Sequence, residues 1–288
     1  MDGDAAISVV IVSYNTAELL LRCLESLQKQ QALVREIIVV DNNSQDNSAA
    51  EVRRYFPSVQ LLALPENIGF GRANNRALAN CTGELLFLLN PDTMLLPGCL
   101  AAIQTYMAEH PEIGMAGAAV YDGDEALQTT VFDGYPGSHY AGATFAGLPG
   151  NITWILGASL VVRRQVMGQV GGFDPGYFLY GEDIDLGLRI RKAGWALGYI
   201  PEARLIHLEG QSERSTPHAA LFEKKLRAEL LFYRKHYPPE IIRRIKRVRW
   251  IQAQWRLFSL RLSGLFMRES ERSRKNRIKY TVAARLYR

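Results

Sequence analysis

Acidic residues are almost missing from one end of this chain. Glu269 and Glu271 are the only two among the last 48 of its 288 residues, against 15 lysines and arginines, a net +13. Taking these from the 34 basic and 29 acidic residues of the whole leaves 19 and 27 in residues 1–240, a net −8. Charge segregated in this way points to a polyanionic partner for the tail, either a membrane or a nucleic acid. Cysteine is scarce too. Cys23, Cys81 and Cys99 are odd in number, form no CxxC pair and sit in apolar contexts. That argues against a disulfide framework or a thiolate metal site and leads us to expect a reduced, cytoplasmic protein with buried thiols. No apolar run reaches the 18 or so residues of a membrane span, and no internal repeat or low-complexity segment is present. The acidic start, Met1-Asp2-Gly3-Asp4, leads straight into an apolar run, unlike a secretory leader.

The remaining composition is that of a globular protein able to bury a large core. Over the first 120 residues, apolar runs alternate with helical patterns. Residues 7–12, 36–40, 59–64, 84–89 and 114–120 read as strands. Residues 17–30, a segment ending at Arg54, 71–79 and 97–109 read as helices. This order predicts an α/β fold with a mostly parallel central sheet covered on both faces. Ligands in such sheets bind beyond the carboxyl ends of the strands. Polar clusters follow strands at that end: Ser13-Tyr14-Asn15, Asp41-Asn42-Asn43-Ser44 and Asn90-Pro91-Asp92. Residues 121–153 lose the rhythm and read as a binding loop or irregular insert. Residues 154–162, carrying Gly157-Ala158-Ser159, read as one strand, and 195–200 and 203–207 as two more. A long helix over 217–236 ends at Pro238-Pro239, which predicts a domain of residues 1–239 and a helical tail of 240–288.

Residues 178–191 crowd three carboxylates, Glu182, Asp183 and Asp185, into four positions where a glycine loop meets a helix start. Burying that much like charge is costly unless a cation, a helix N-terminus or a proton offsets it. Such carboxylates have shifted pKa values and can act as bases. Helix capping, with Asp185 and Arg189 as an i,i+4 pair, accounts for the same residues.

Together the motifs are recognisable. Val12-Ser13-Tyr14-Asn15, residues 39–44 (Val-Val-Asp-Asn-Asn-Ser) and 67–71 (Asn-Ile-Gly-Phe-Gly) resemble the donor-binding half of family 2 glycosyltransferases. Asn90-Pro91-Asp92-Thr93, residues 181–189 (Gly-Glu-Asp-Ile-Asp-Leu-Gly-Leu-Arg) and His207 with Gly210-Gln211-Ser212 extend the match to roughly residues 7–215. The Asn-Pro-Asp form is most similar to the bacterial rhamnosyltransferase-like branch. The resemblance implies a GT-A fold, inversion at the anomeric carbon, and Mg²⁺ or Mn²⁺. The substrates it implies are a dTDP- or UDP-sugar donor and a surface-glycan or polyprenyl-linked acceptor.

It also implies roles for single residues. Asp92 and His207 become metal ligands, since a carboxylate suits a hard cation and imidazole suits Mn²⁺. The common family motif is Asp-x-Asp; here Asn90 holds the first acidic position, leaving it free for pyrophosphate or sugar hydroxyls. Asp41 can accept the N3–H of uracil or thymine, while Asn42, Asn43 and Ser44 can equally cap the next helix. Ser13, Tyr14 and Asn15 face the base and ribose. Asn67 and Gly69 belong to the turn before a helix whose Arg72 and Asn74 can meet phosphate. Gly157 and the loop 121–153 lie where sugar and acceptor are read. Asp183 is the candidate base, with Glu182 holding the acceptor or the loop.

A sugar-nucleotide pyrophosphorylase needs a glycine-rich, arginine-bearing loop after the first strand, and residues 12–15 offer none. A silent nucleotide- or carbohydrate-binding subunit would have no use for Asp92, Asp183 and His207 together. In the tail, Trp250, Ile251, Trp255, Leu257, Phe258, Leu260, Leu262, Leu265 and Phe266 alternate with arginines. That is the composition of a helix lying in an anionic membrane interface. A helical extension packed on the body is the alternative. No nucleic-acid-binding module accompanies the charge, so nucleic acid is not an expected partner. The expected location is the cytoplasm, peripheral on the inner face of the cell membrane.

Overall fold

A computed structural model describes residues 6–208, 216–264 and 270–288. Two compact units emerge. The first falls within Met1–Tyr135, Gly147–Phe178 and Glu182–Ser212, the second within Pro136–Ala146, Leu179–Gly181 and Glu213–Arg288.

The first unit is built on β1 (Ile7–Ser13), in which every residue is buried. A strand covered on both faces has no need of polar alternation, which is why its sequence is nearly all apolar. Ile7, Val9 and Ile11 pack in one layer with Leu20, Leu24 and Leu27 of α1 (Ala17–Gln28) and Leu100 and Ile103 of α4 (Cys99–Glu109). Val10 and Val12 pack in the opposite layer with Ala73 of α3 (Phe70–Leu78), Val166 of α5 (Arg164–Val170) and Leu186 of α6 (Glu182–Lys192). Truncating a buried leucine such as Leu24 to alanine would cost about 2–5 kcal/mol.

The sheet also contains β2 (Val34–Asp41), β3 (Gln60–Ala63), β4 (Leu85–Leu89), β5 (Thr93–Leu95), β6 (Ile113–Tyr121), β9 (Ser159–Arg163) and β10 (Ala196–His207). Among the described residues their order is β3-β2-β1-β4-β9-β6-β10-β5. The run β3-β2-β1-β4 and the pair β6–β10 are parallel. β9 is antiparallel to both its neighbours, and β5 is antiparallel to β10. The helix α2 (Ser48–Tyr55) covers the sheet through Val52.

Three details differ from the sequence expectation. Residues 154–162 are not one strand. β8 (Trp154–Ile155) pairs with β7 (Val131–Phe132) in a small separate sheet, and the chain turns at Gly157 before β9 joins the main sheet. Residues 195–200 and 203–207 are one strand, β10, with a register shift between Ile200 and Arg204. Pro201 falls in that irregularity, one of the few places a strand tolerates proline. The short β5 was not foreseen, because three residues carry no readable period.

The second unit is helical: α7 (His218–His236), α8 (Pro239–Gly264) and α9 (Glu271–Leu286). Phe232 and Tyr233 of α7, Ile245 and Ala253 of α8, and Val282 and Ala283 of α9 are buried. Glu229 of α7 accepts the Tyr233 hydroxyl and lies 3.9 Å from Arg249 of α8. Arg285 of α9 pairs with Glu223 of α7. Pro239 opens α8, a favoured helical position for proline, so the boundary expected there falls inside the second unit. The expected motif Gly210-Gln211-Ser212 and the tail residues Leu265 and Phe266 lie outside the described residues.

Candidate active site

The polar side chains collect at the carboxyl ends of the strands, all within the first unit. Ser13 and Asp41 are register partners at the ends of β1 and β2, and both are buried. Ser13 Oγ is bonded to Thr16 Oγ1 at 2.9 Å. One Asp41 oxygen accepts the Ser44 N–H at 3.4 Å; the other is buried with no partner among the described residues. An unpaired buried carboxylate oxygen is costly, so this atom awaits a donor. Tyr14 beside it is half-buried.

The two loops here brace one another. Asn15 accepts the Gln45 N–H at 2.6 Å and donates its own N–H to Ser44 Oγ at 3.0 Å. Asp46 accepts the Ala17 N–H at 3.0 Å, capping α1 from the neighbouring loop. Asn15 and Asn43 both have positive φ, 55° and 66°. Asparagine is among the few residues that take this conformation readily.

A second group forms where β4 and β10 end. β5 pairs Thr93 with His207, and Leu208 donates its N–H to the Asp92 carbonyl at 3.1 Å. This pairing sets His207 Nε2 3.2 Å from Asp92 Oδ1 and 3.3 Å from Asn90 Nδ2. Asp92 and His207 are 6% and 5% exposed. His207 Nδ1 has no partner among the described residues. Asn90 continues the connection, its N–H donating to the Ala158 carbonyl at 3.0 Å.

The acidic motif completes the path. Gly157 donates its N–H to Asp183 Oδ2 at 3.0 Å, and Ile184 donates to Asp183 Oδ1 at 2.8 Å. Burial pushes the Asp183 carboxyl above the ordinary carboxylate range, outweighing these backbone donors. Glu182 is raised as well, by burial first and by the charge of Asp183 second. Its Oε2 is buried and unpartnered among the described residues. Asp185 instead pairs with Arg189 at 2.7 Å, the structural role expected of it.

Other expected residues act on the scaffold. Asn67 accepts from Gly69 N at 3.0 Å and from Asn42 Nδ2 at 2.9 Å, and Asn42 also accepts the Ile68 N–H at 3.0 Å. A Cβ on Gly69 would come within 2.3 Å of the Phe178 carbonyl oxygen, and its φ is +87°, so only glycine fits. Arg72 donates Nε to the Pro175 carbonyl at 2.7 Å, and Asn74 donates to Phe70 O at 3.1 Å. Neither is gathered into the Asp92–His207–Asp183 path. Asn42 and Asp46 are the residues that sequence reasoning undervalued. Their partners lie some 25 to 30 positions away, although both stand in the polar turn after β2.

Known proteins now place the chain. The sequence profile described as Glycosyl transferase family 2 matches residues 8–179. The chain belongs to this family. An N-acetylglucosaminyl-diphospho-decaprenol L-rhamnosyltransferase of Mycobacterium tuberculosis is 30% identical over 247 residues, covering 73% of this chain and 78% of that protein. The rhamnosyltransferase WbbL of Escherichia coli is 25% identical, over 72% and 85% of the two chains. Among solved structures, a mannosyltransferase of Pyrobaculum calidifontis in complex with GDP-Man and Mn²⁺ superposes with a TM-score of 0.64 at 17% identity. The match covers 99% of this chain and 87% of that one. The glycosyltransferase has the expected GT-A fold and rhamnosyltransferase relatives.

Among the described residues no group of three or more His, Cys, Asp and Glu side chains converges on a common metal position. The pair Asp92–His207 does fit a divalent ion. Its carboxylate and imidazole donors are 3.2 Å apart, close to the spacing of adjacent corners on an octahedral ion with bonds of about 2.1 Å. Nε2 offers a single hydrogen or lone pair, so it cannot serve both Asp92 and Asn90. A pair of this kind would hold an ion only together with other ligands, such as diphosphate oxygens and water.

Proposed function

We propose that the protein is a divalent-metal-dependent, inverting rhamnosyltransferase. It moves L-rhamnose from dTDP-rhamnose to a polyprenyl-linked glycan acceptor at the inner face of the cell membrane. The observation that carries the reading is that one edge of the sheet holds both the buried Asp92–His207 pair, 3.2 Å apart, and Asp183, whose carboxylate accepts the Gly157 N–H while the adjacent Ala158 carbonyl accepts the Asn90 N–H. It supports a reading in which a pair suited to a divalent ion and a candidate base serve one site. The named activities of the mycobacterial and E. coli relatives supply the sugar and the lipid-linked acceptor.

In this reading Asp41 accepts the N3–H of the base and so favours thymine or uracil over cytosine. Asp92 and His207 hold the ion, which when bound neutralises charge on the diphosphate. Asn90 donates to the pyrophosphate or to sugar hydroxyls. Asp183, held by the Gly157 and Ile184 amides, accepts the proton of the acceptor hydroxyl as that oxygen bonds to the anomeric carbon. The bond from that carbon to the diphosphate oxygen breaks on the opposite face, and dTDP leaves with the electron pair. The configuration inverts and no covalent enzyme intermediate forms. Glu182 supports Asp183 and holds the acceptor.

A donor screen tests this function. The full chain is incubated with a polyprenyl-diphospho-N-acetylglucosamine acceptor, Mn²⁺ or Mg²⁺, and dTDP-rhamnose, UDP-N-acetylglucosamine or GDP-mannose in turn. Turnover of dTDP-rhamnose alone is the expected result. Preference for another donor would reassign the sugar, and binding without turnover of any donor would favour a silent binding subunit.

A further inference from the structure

Among the described residues, exposed large apolar side chains concentrate on a single helix. Trp250, Ile251, Trp255, Phe258 and Leu262 of α8 are all at least 37% exposed, Trp255 reaching 66%. Ile251, Trp255, Phe258 and Leu262 stand at i, i+4, i+7 and i+11, so they form one stripe about three turns long. The opposite side of the same helix is the packed one. Ile245 and Ala253 are buried there, and Arg249 faces Glu229 of α7. The stripe is therefore not the seam that holds the second unit together.

Its charge says what it meets. Arg243, Arg244 and Arg247 line a shallow surface groove with Val248 and Ile251 at the N-terminal end of the stripe. The helix carries seven basic residues and one acidic residue, Glu240. A second copy packed face to face through α8 would bring two strongly cationic faces together, which Coulomb repulsion opposes. No helix among the described residues is long and apolar enough to cross a membrane. An apolar stripe with tryptophan, flanked by arginines on a helix of mixed polarity, suits the boundary between headgroups and acyl chains.

We infer that α8 lies on an anionic phospholipid surface. Ile251, Trp255, Phe258 and Leu262 enter the headgroup layer, and Arg243, Arg244 and Arg247 pair with lipid phosphates. The inference assigns the lipid contact to one face of one helix. None of the exposed large apolar side chains among the described residues lies on α9. It does not depend on the identity of the donor sugar.

Vesicle co-sedimentation tests it with the full chain. Vesicles are made of phosphatidylcholine alone or with phosphatidylglycerol, at low and high salt. The wild type should bind the anionic vesicles at least tenfold more tightly, and less so as salt rises. The double variant Trp255→Ser with Phe258→Ser should lose about tenfold or more at both salt concentrations. The triple variant Arg243→Gln, Arg244→Gln and Arg247→Gln should lose binding at low salt and approach the wild type at high salt. Unchanged donor binding in both variants establishes that they are folded. Wild-type protein that ignores anionic vesicles would overturn the inference, as would an apolar-face variant that sediments normally. A wild-type dimer dispersed by Trp255→Ser with Phe258→Ser, without vesicle binding, would overturn it in favour of a second copy. Salt-sensitive binding to RNA without vesicle binding would overturn it in favour of nucleic acid.

Discussion

His207 Nε2 lies 3.2 Å from Asp92 Oδ1 although 115 residues separate them in sequence, and both side chains are buried. The antiparallel pairing of β5 with β10 produces this contact by setting Thr93 beside His207. A buried carboxylate and imidazole at this spacing are the pair proposed to hold the divalent ion.

Removing one of them should therefore act through the ion. Asp92→Ala is expected to weaken dTDP binding about tenfold or more in Mn²⁺ and to leave metal-free binding nearly unchanged. Isothermal titration with and without the ion reads both quantities. Equal losses in the two conditions would mean that Asp92 shapes the pocket and does not bind metal.

Asp41 should set the choice of base. Its buried oxygen, without a partner among the described residues, can accept the N3–H of thymine or uracil, where cytosine has a bare N3 and guanine presents its N–H groups on a larger ring. dTDP and UDP should compete better than CDP or GDP, and Asp41→Ala should reduce that preference by about 1–3 kcal/mol. Competition binding of the four diphosphates checks it. Equal competition by GDP against the wild type would refute the assignment.

The carboxyl pair should show itself in pH dependence. Glu182 and Asp183 both hold their protons to higher pH than ordinary carboxylates. A base must be deprotonated, so kcat/KM should rise with pH through the raised value and level off above it. Burial, which outweighs the Gly157 and Ile184 amide donors, sets the position of that limb. Stability runs the other way. A folded pKa raised above the unfolded one gives stability that is fully present below the unfolded pKa and lost as pH rises through the folded value. The Glu182→Gln protein should thus match the wild type near pH 4 and exceed it by on the order of 2 kcal/mol at alkaline pH. Urea unfolding across pH measures this. A constant difference would show that the charge of Glu182 costs nothing.

The β2–α3 connection depends on Asn42, which bridges Asn67 and the Ile68 amide. Asn42→Ala leaves those half-buried groups without their partner and should cost about 1–3 kcal/mol of stability. A change below about 0.5 kcal/mol in urea unfolding would show that water replaces the side chain.

Much of this was legible before any coordinates. The alternation of β1 through α4 follows from apolar period alone, and Asp41, Asn90 and Asp92 stand at strand ends where the local sequence puts them. The illegible parts depend on distant partners. The β9 segment has the same apolar run as a parallel strand, and only its pairing between β4 and β6 makes it antiparallel. Nothing near Gly157 announces that its amide will hold Asp183, 26 residues on. In the tail, composition marked the basic stretch with its apolar residues but not which side of a helix they would share. Which face is packed became visible only through the contacts of Ile245, Ala253 and Glu229.

The central claim is that this GT-A site transfers a sugar with Asp183 as the base. Asp183→Asn keeps the side chain's shape and an oxygen for the Gly157 amide, but it cannot take a proton. The decisive measurement is dTDP-rhamnose affinity and kcat of this variant on the lipid-linked acceptor, in parallel with the wild type. The account predicts donor affinity within about threefold of the wild type and kcat lower by about 10²–10⁴. Near-normal turnover in Asp183→Asn would contradict it.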